Sequence, residues 1–244
     1  MFTAVWFARF AQGTAKEEGC RYRAEYDGPM GASTSIERYV QNHVIGPIPS
    51  ATGAGADPFF DGYSLGWWRD RAAFDETMAS PGWQALVEDG PNVFAMTWLE
   101  GMSAELREFT VIEGPSSPFK VVWIADIKEG LDTVEAHAYW ESVHGSICKE
   151  MEIDRYVQYH VVGSLEEVNA PGFDGFSELW FKDEAQFRRA MESDAGAAAM
   201  VDGPNLFDMS ALRGAVLEER VVKEALEDSV YGPTPDSSPD ELTG

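Results

Sequence analysis

The stretch HGSICKEMEIDRYVQYHVVG, from His144 to Gly163, runs from the end of a helical pattern into a strand. Much of it has already occurred as DGPMGASTSIERYVQNHVIG, from Asp27 to Gly46. Arg38-Tyr39-Val40-Gln41 returns as Arg155-Tyr156-Val157-Gln158, and His43 returns as His160, each 117 residues later. His144 falls opposite Asp27. The chain therefore reads as a duplicated module whose copies share one histidine and differ at the other.

The repeat extends outward in both directions. Thr3-Ala4-Val5-Trp6 pairs with Lys120-Val121-Val122-Trp123, both strand-like and followed by a glycine, Gly13 or Gly130. A helix comes next. Asp132 with Glu135 three residues on offers a capping-box start in the second copy, whereas Pro29 and Gly31 predict a shorter helix in the first. Ile36 to Gly46 and Ile153 to Gly163 read as strands. After the Pro/Gly/Ala-rich connection from Pro47 to Asp57 the offset becomes 113, pairing Asp61 to Trp67 with Asp174 to Trp180 as third strands. Arg69 to Val87 and Lys182 to Met200 predict amphipathic helices, with Phe74 and Met78 mirrored by Phe187 and Met191. Asp89-Gly90-Pro91-Asn92 and Asp202-Gly203-Pro204-Asn205 read as turns into a last strand carrying Phe94 or Phe207.

Each copy thus runs strand, helix, strand, strand, helix, strand, which predicts an α+β, ferredoxin-like unit with both helices on one sheet face. The expected units are residues 1–113 and 119–225, joined at Gly114-Pro115-Ser116-Ser117-Pro118, with the two sheets stacked face to face. The acidic Pro/Ser segment 226–244 lacks periodicity and is expected to be disordered.

Composition narrows the function classes. Forty-two acidic residues against 18 basic ones give a net charge of −24, which repels phosphate backbones and anionic membranes. Nucleic acid and membrane are therefore not expected partners. No apolar run reaches the length of a membrane span, and the opening MFTAVWFARF alternates like a strand instead of a leader peptide. Cys20 and Cys148 do not occupy equivalent repeat positions and build no disulfide framework, so a cytoplasmic location is expected.

The residues just described carry a resemblance. A helix ending in His144-Gly145, the strand RYVQYH, the strand DGFSELWF and the late DGPN together resemble the EthD domain of the dimeric α+β barrel superfamily. The likeness spans residues 1–225 as tandem copies and is closer in the second. It implies a barrel made within one chain, with a ligand pocket in each unit between helices and sheet. The superfamily includes cofactor-free polyketide cyclases, decarboxylases, muconolactone-type isomerases and small monooxygenases, so the resemblance alone selects no reaction.

Candidate chemistry concentrates in the second copy. His137, Glu141, His144 and Cys148 are spaced by four, three and four, which places them on one helical face flanked by Trp140. His144, matching the HG histidine, is the expected general acid/base. His137 and Glu141 either join it or sit at the edge of the stripe and reach water. His160 shares strand parity with Tyr156 and Gln158. Imidazole titrates near neutrality, so His160 and Tyr156 are expected to hold or polarise a substrate oxygen. Trp140, Glu141, His137 and Trp180 complete the candidate substrate-binding set, although Trp67 and Trp180 read equally as core. In the first copy Cys20, Ala24, Asp27 and Gly31 replace the stripe, which suggests a degenerate site.

No phosphate-binding glycine loop, dinucleotide fingerprint or zinc spacing occurs, so neither cofactor nor metal is expected. The sequence reading is a cofactor-free lyase, decarboxylase, isomerase or cyclase acting by histidine acid/base chemistry. Its substrate would be a hydrophobic aromatic or polyketide-like carboxylated small molecule. The alternatives are a non-catalytic binder of an aromatic or haem-like ligand and a cofactor-independent monooxygenase. A monomer acting as an intrachain pseudo-dimer, or a homodimer, would serve either.

Overall fold

Alternation along each strand decides which side chains meet. In β6 (Arg155–Ser164), Val157 and Tyr159 belong to the main hydrophobic core while Tyr156, Gln158 and His160 point to the opposite face, toward the helices. The same rule acts in β1 (Phe2–Ala8), β2 (Arg38–Pro47), β3 (Gly62–Trp68), β4 (Ser103–Ile112), β5 (Phe119–Ala125), β7 (Gly175–Phe181) and β8 (Arg213–Lys223). All neighbouring pairs are antiparallel, and the eight strands close into one barrel in the order β1-β3-β2-β8-β5-β7-β6-β4. The computed structural model describes residues 1–49, 58–96, 101–165 and 171–224. Segment 226–244 and most of the connection from Pro47 to Asp57 lie outside them.

The expectation of two sheets stacked face to face is corrected by two seams. β2 pairs along β8, from Val40 opposite Val221 to Pro47 opposite Ala215. β4 pairs along β6, from Ala104 opposite Ser164 to Ile112 opposite Tyr156. Edge strands carry a row of unpaired backbone groups, and mutual pairing satisfies them while enclosing one shared core. Val5, Phe7, Leu65, Trp67, Phe176 and Trp180 fill its interior.

Helices cover the outer surface. α1 (Lys16–Tyr22), a π-helical turn (Arg23–Asp27) and α2 (Gly28–Ala32) come after β1. After β5 the corresponding run is α5 (Thr133–Tyr139), a π-helical turn (Trp140–His144) and α6 (Gly145–Cys148). Both π turns begin and end 117 residues apart, as do β1 and β5 and β2 and β6, whereas β3 and β7 are 113 apart. The hydrogen bond from Phe10 N–H to Asp61 Oδ2 (2.8 Å) recurs from Ile127 N–H to Asp174 Oδ2 (2.7 Å). Gly13 and Gly130 adopt φ of 96° and 89°, the left-handed region that a side chain disfavours.

Three local expectations change. The first helical run is as long as the second, because Pro29 sits at the start of a fresh segment where its missing N–H is not required. Each single long helix predicted after the third strand is broken in two. α3 (Arg71–Met78) gives way to α4 (Pro81–Asp89) at Ser80, whose Oγ accepts from Trp83 N–H. α7 (Glu184–Glu192) gives way to α8 (Asp194–Leu206) at Ser193, which accepts from Gly196 N–H. Such N-caps are worth about 0.5–2 kcal/mol and start a new helix where they fall. Finally, the DGPN segments are not turns into strands. Asp202 to Asn205 lie in the last turns of α8, Gly90–Asn92 form a 3₁₀ turn, and Phe94 and Phe207 make only isolated bridges to Phe10 and Ile127.

Candidate functional site

Outward-facing residues of β5 and β7 meet the underside of the second helical layer imperfectly, leaving a cavity of about 240 Å³. Trp123, Trp140, Leu179, Phe207 and the thioethers of Met151, Met191 and Met209 form most of its wall. The polar groups reaching it are His144, Tyr156, Ser177 and Cys148. Burial raises the Cys148 thiol to about 12, so it meets the cavity as a neutral, weakly polar group.

His144 is placed by the π turn. A π turn adds a residue to the helical circuit and rotates the next segment by about 100°. The stripe of His137, Glu141, His144 and Cys148 is therefore split: His144 and Cys148 line the cavity, while His137 and Glu141 face the other way, toward His160. His144 Nδ1 lies 2.9 Å from Asp202 Oδ2 on α8. A carboxylate only accepts, so Nδ1 carries the proton and Nε2 is left as the reactive nitrogen. Asp202 Oδ1 accepts from the Tyr139 hydroxyl (2.6 Å) and from Asn205 Nδ2 (3.3 Å). Burial tends to raise the Asp202 carboxyl, but the hydrogen bonds from Tyr139, His144 and Asn205 outweigh it and hold the carboxyl below its ordinary range. The edge of His144 meets Phe207 at 5.4 Å, which fixes the ring from a second side. Asp202 was not among the residues expected from sequence. Its only signal is the DGPN repeat, and Asp89 in the first half merely accepts from Asn92 (2.9 Å).

Tyr156 is also in the cavity wall, with its hydroxyl 2.9 Å from Gln158 Nε2 and 3.3 Å from Ser177 Oγ. Burial, reinforced by Cys148, raises its phenol far above the ordinary value, so it serves as a neutral hydroxyl. His160 does not share the cavity. It is fully buried behind Trp140, stacked on that indole at 5.0 Å and on His137 at 4.4 Å. Burial, then His137 and Arg107, lowers its pKa to about 3. That imidazole is held neutral and is walled off from the cavity by Trp140. Glu141 forms an ion pair with Arg107 beside His160 Nδ1, and His137 Nε2 lies 3.2 Å from the Asp174 carbonyl. The option in which His137 and Glu141 reach water is thus replaced by a packed polar cluster for His137, which is buried, and by a one-fifth exposed carboxylate for Glu141. Trp180 lies inside the barrel, on the face of β7 opposite the cavity, with Lys120 Nζ 4.4 Å above its ring. Of the candidate set, the structure brings together His144, Tyr156 and Trp140.

The first half is built differently at the same places. Trp6 packs against Trp83 (5.2 Å), Trp68 (6.0 Å) and Phe74 (6.2 Å). The Trp68 ring lies over Gly66, where a Cβ would come within 2.4 Å of it. The residues 113 positions after Trp83 and Trp68 are Gly196 and Phe181, so the large indoles belong to the half without His144. Asp27 is half-buried, accepts from Gln41 Nε2 (2.8 Å) and Tyr39 OH (3.4 Å), and has its carboxyl raised by burial. It is a hydrogen-bonded side chain and not a solvated one. His43 mirrors His160, buried and lowered to about 3.

Among the described residues no group of three or more His, Cys, Asp or Glu is arranged to hold a metal ion, and no helix is long and apolar enough to cross a membrane. No curated protein sequence matches the chain. Solved structures do. An anthrone oxidase-like protein superposes with a TM-score of 0.59 at 10% identity, over 94% of this chain and 96% of its own. Two proteins named "putative monooxygenase" also superpose, each at a TM-score of 0.53. The one from Fusobacterium nucleatum is 12% identical over 91% of this chain and 92% of its own. That from Lactobacillus acidophilus is 11% identical over 92% and 97%. At such identities these neighbours share the fold of the whole barrel and nothing finer. Residues 128–210 match the EthD domain model, a segment running from the loop before α5 to the loop before β8 and containing His144, Tyr156 and Asp202. Over that segment, this chain carries an EthD domain.

Proposed function

We propose that this protein is a small-molecule enzyme in which His144, oriented by Asp202, moves a proton at carbon in a hydrophobic substrate. The barrel is read as two tandem ferredoxin-like units, residues 1–113 and 119–225, with the working pocket in the second and a filled counterpart in the first. The observation carrying this reading is the His144–Asp202 pair in the wall of an otherwise apolar cavity. A neutral imidazole whose far nitrogen is held by a carboxylate is a competent general base, and the imidazolium it becomes is stabilised by the same carboxylate. Trp123, Trp140 and Phe207 suit a flat aromatic body, and Tyr156 lies on the same wall as a neutral hydrogen-bond donor.

Among the described residues no lysine or arginine lines the cavity to pair with a substrate carboxylate. Isomerisation or cyclisation, which needs a base and a donor, is better served than decarboxylation. The names of the structural neighbours favour a second reading, cofactor-independent oxygenation. Its first step is the same removal of a carbon-bound proton by His144, after which the carbanion would react with dioxygen. The test is turnover of a panel of aromatic ketones and keto acids, with proton exchange, carbon dioxide release and oxygen uptake monitored in parallel. His144→Ala should abolish most turnover and Asp27→Ala should cost little. Full activity in the first variant, or equal losses in both, refutes the assignment. Oxygen uptake stoichiometric with product selects the second reading.

A further inference from the structure

Hydrogen bonds in the cavity wall have a direction that can be worked out from one backbone group. The Trp140 carbonyl, which already accepts from Gly145 N–H in the π turn, can only accept, and it lies 3.2 Å from one terminus of the Gln158 side chain. That terminus is therefore the amide nitrogen. The same nitrogen reaches the Tyr156 oxygen at 2.9 Å, so Tyr156 accepts from it. Gln158 Oε1 then faces His160 Nε2 at 3.2 Å, which must carry the proton, and His160 Nδ1 offers its lone pair to Arg107 Nη2 at 3.1 Å. From the Trp140 carbonyl through Gln158 to His160 Nε2 the chain has one polarity.

At the cavity end this polarity leaves a surplus. The Tyr156 oxygen already accepts from Gln158 and, at 3.4 Å, from Trp140 Nε1, which can only donate. Tyr156 and Ser177 are 3.3 Å apart and between them hold two hydroxyl protons. One is used in the bond joining them. The other has no acceptor among the described residues, whichever hydroxyl carries it, and both side chains line the cavity. Buried donors are almost always paired, so a surplus donor in an apolar wall marks where a ligand acceptor belongs.

We infer that the ligand of this cavity presents a hydrogen-bond-accepting oxygen, a ketone or enolate oxygen, to the Tyr156–Ser177 pair, and that Gln158 is the positioning residue that fixes this polarity. The inference rests on the reading of the cavity as the ligand site and adds the functional group found there. It also gives the proton chemistry a geometry: a donor on the carbonyl oxygen and His144 Nε2 as base for the neighbouring carbon.

The probes are 1-tetralone and tetralin, which share a ring frame and differ by the carbonyl, with binding measured by fluorescence of the cavity tryptophans. The infrared carbonyl band of bound 1-tetralone should move to lower frequency in the wild-type protein. In Tyr156→Phe/Ser177→Ala that shift should vanish, and the affinity of ketone relative to hydrocarbon should fall roughly 2- to 12-fold, the worth of one neutral hydrogen bond. Gln158→Leu should weaken the shift while tetralin binding, the control for an intact cavity, is unchanged. An unshifted band in the wild type, or a ketone preference that survives the double substitution, overturns the inference while leaving the cavity as a ligand site. Failure of both probes to bind overturns the ligand-site reading itself. An unchanged band in a folded Gln158→Leu protein removes Gln158 from the account.

Discussion

The His144–Asp202 contact can be weighed without knowing the substrate, by a double-mutant cycle on stability with His144→Gln and Asp202→Asn. The two side chains are 13% and 10% exposed and 2.9 Å apart, so solvent screening is modest. A hydrogen bond to a charged group contributes about 1.5–3 kcal/mol net, and the cycle should return a coupling of that size at pH 7. For a chain of this length Asp202→Asn alone should lower Tm by about 3–12 °C. The pH dependence has a definite sign. The folded Asp202 carboxyl lies below its ordinary range, so its stabilisation is complete above about pH 4, the unfolded value, and is lost as pH falls through the folded value. Urea unfolding of the four proteins at pH 7 and at progressively lower pH measures both quantities. A coupling under about 0.5 kcal/mol, or one that persists after the carboxyl is protonated, would show that the pair is incidental and would remove the orienter from the proposed mechanism.

Two further outcomes concern buried charges. Lys120 Nζ lies 2.7 Å from Glu178 Oε1 and 2.8 Å from Asn42 Oδ1 inside the barrel, so Lys120→Met strands a buried carboxylate and should cost about 3–5 kcal/mol. Burial already raises the Glu178 carboxyl, against the pull of Lys120, so a charged Glu178 is a burden relieved on protonation; the loss in Lys120→Met should shrink as pH falls, and a pH-independent loss in urea melts would contradict this account. His160 and His43, each lowered to about 3, stay neutral in the fold while the unfolded chain binds protons below about pH 6.5. Stability should therefore fall between about pH 6.5 and 3, and His160→Gln should make that slope shallower, measured as the change in urea midpoint between pH 7 and pH 4.5.

The sequence by itself determined what rests on local pattern. Strand alternation at Arg155 to His160 separates core from helix-facing residues, and the same alternation at Arg38 to His43 does so again. Glycine, β-branched and aromatic residues placed the β1, β2 and β3 strands and their later counterparts close to where they lie, because those preferences act over a few residues. The HG and RYVQ.H residues pointed to His144 and Tyr156, both of which line the cavity.

Tertiary structure alone decided the rest. Asp202 is 58 residues from His144 and reads as part of a Gly-Pro turn until α8 carries it under the π turn. The π turns themselves have no periodic signature at the level of a hydrophobic stripe, so the split of His137 and Glu141 from His144 and Cys148 could not be read from spacing. Strand parity put Trp180 on the barrel interior only once the closed sheet fixed which face was inside. That Trp83 and Trp68 pack on Trp6 in the first half, where the second half carries Gly196 and Phe181 beside a cavity, was likewise a matter of packing. Local propensity sets elements within a few residues of one another, but a cavity and a hydrogen-bonded pair are differences in volume and distance between segments far apart in the chain, which only packing resolves.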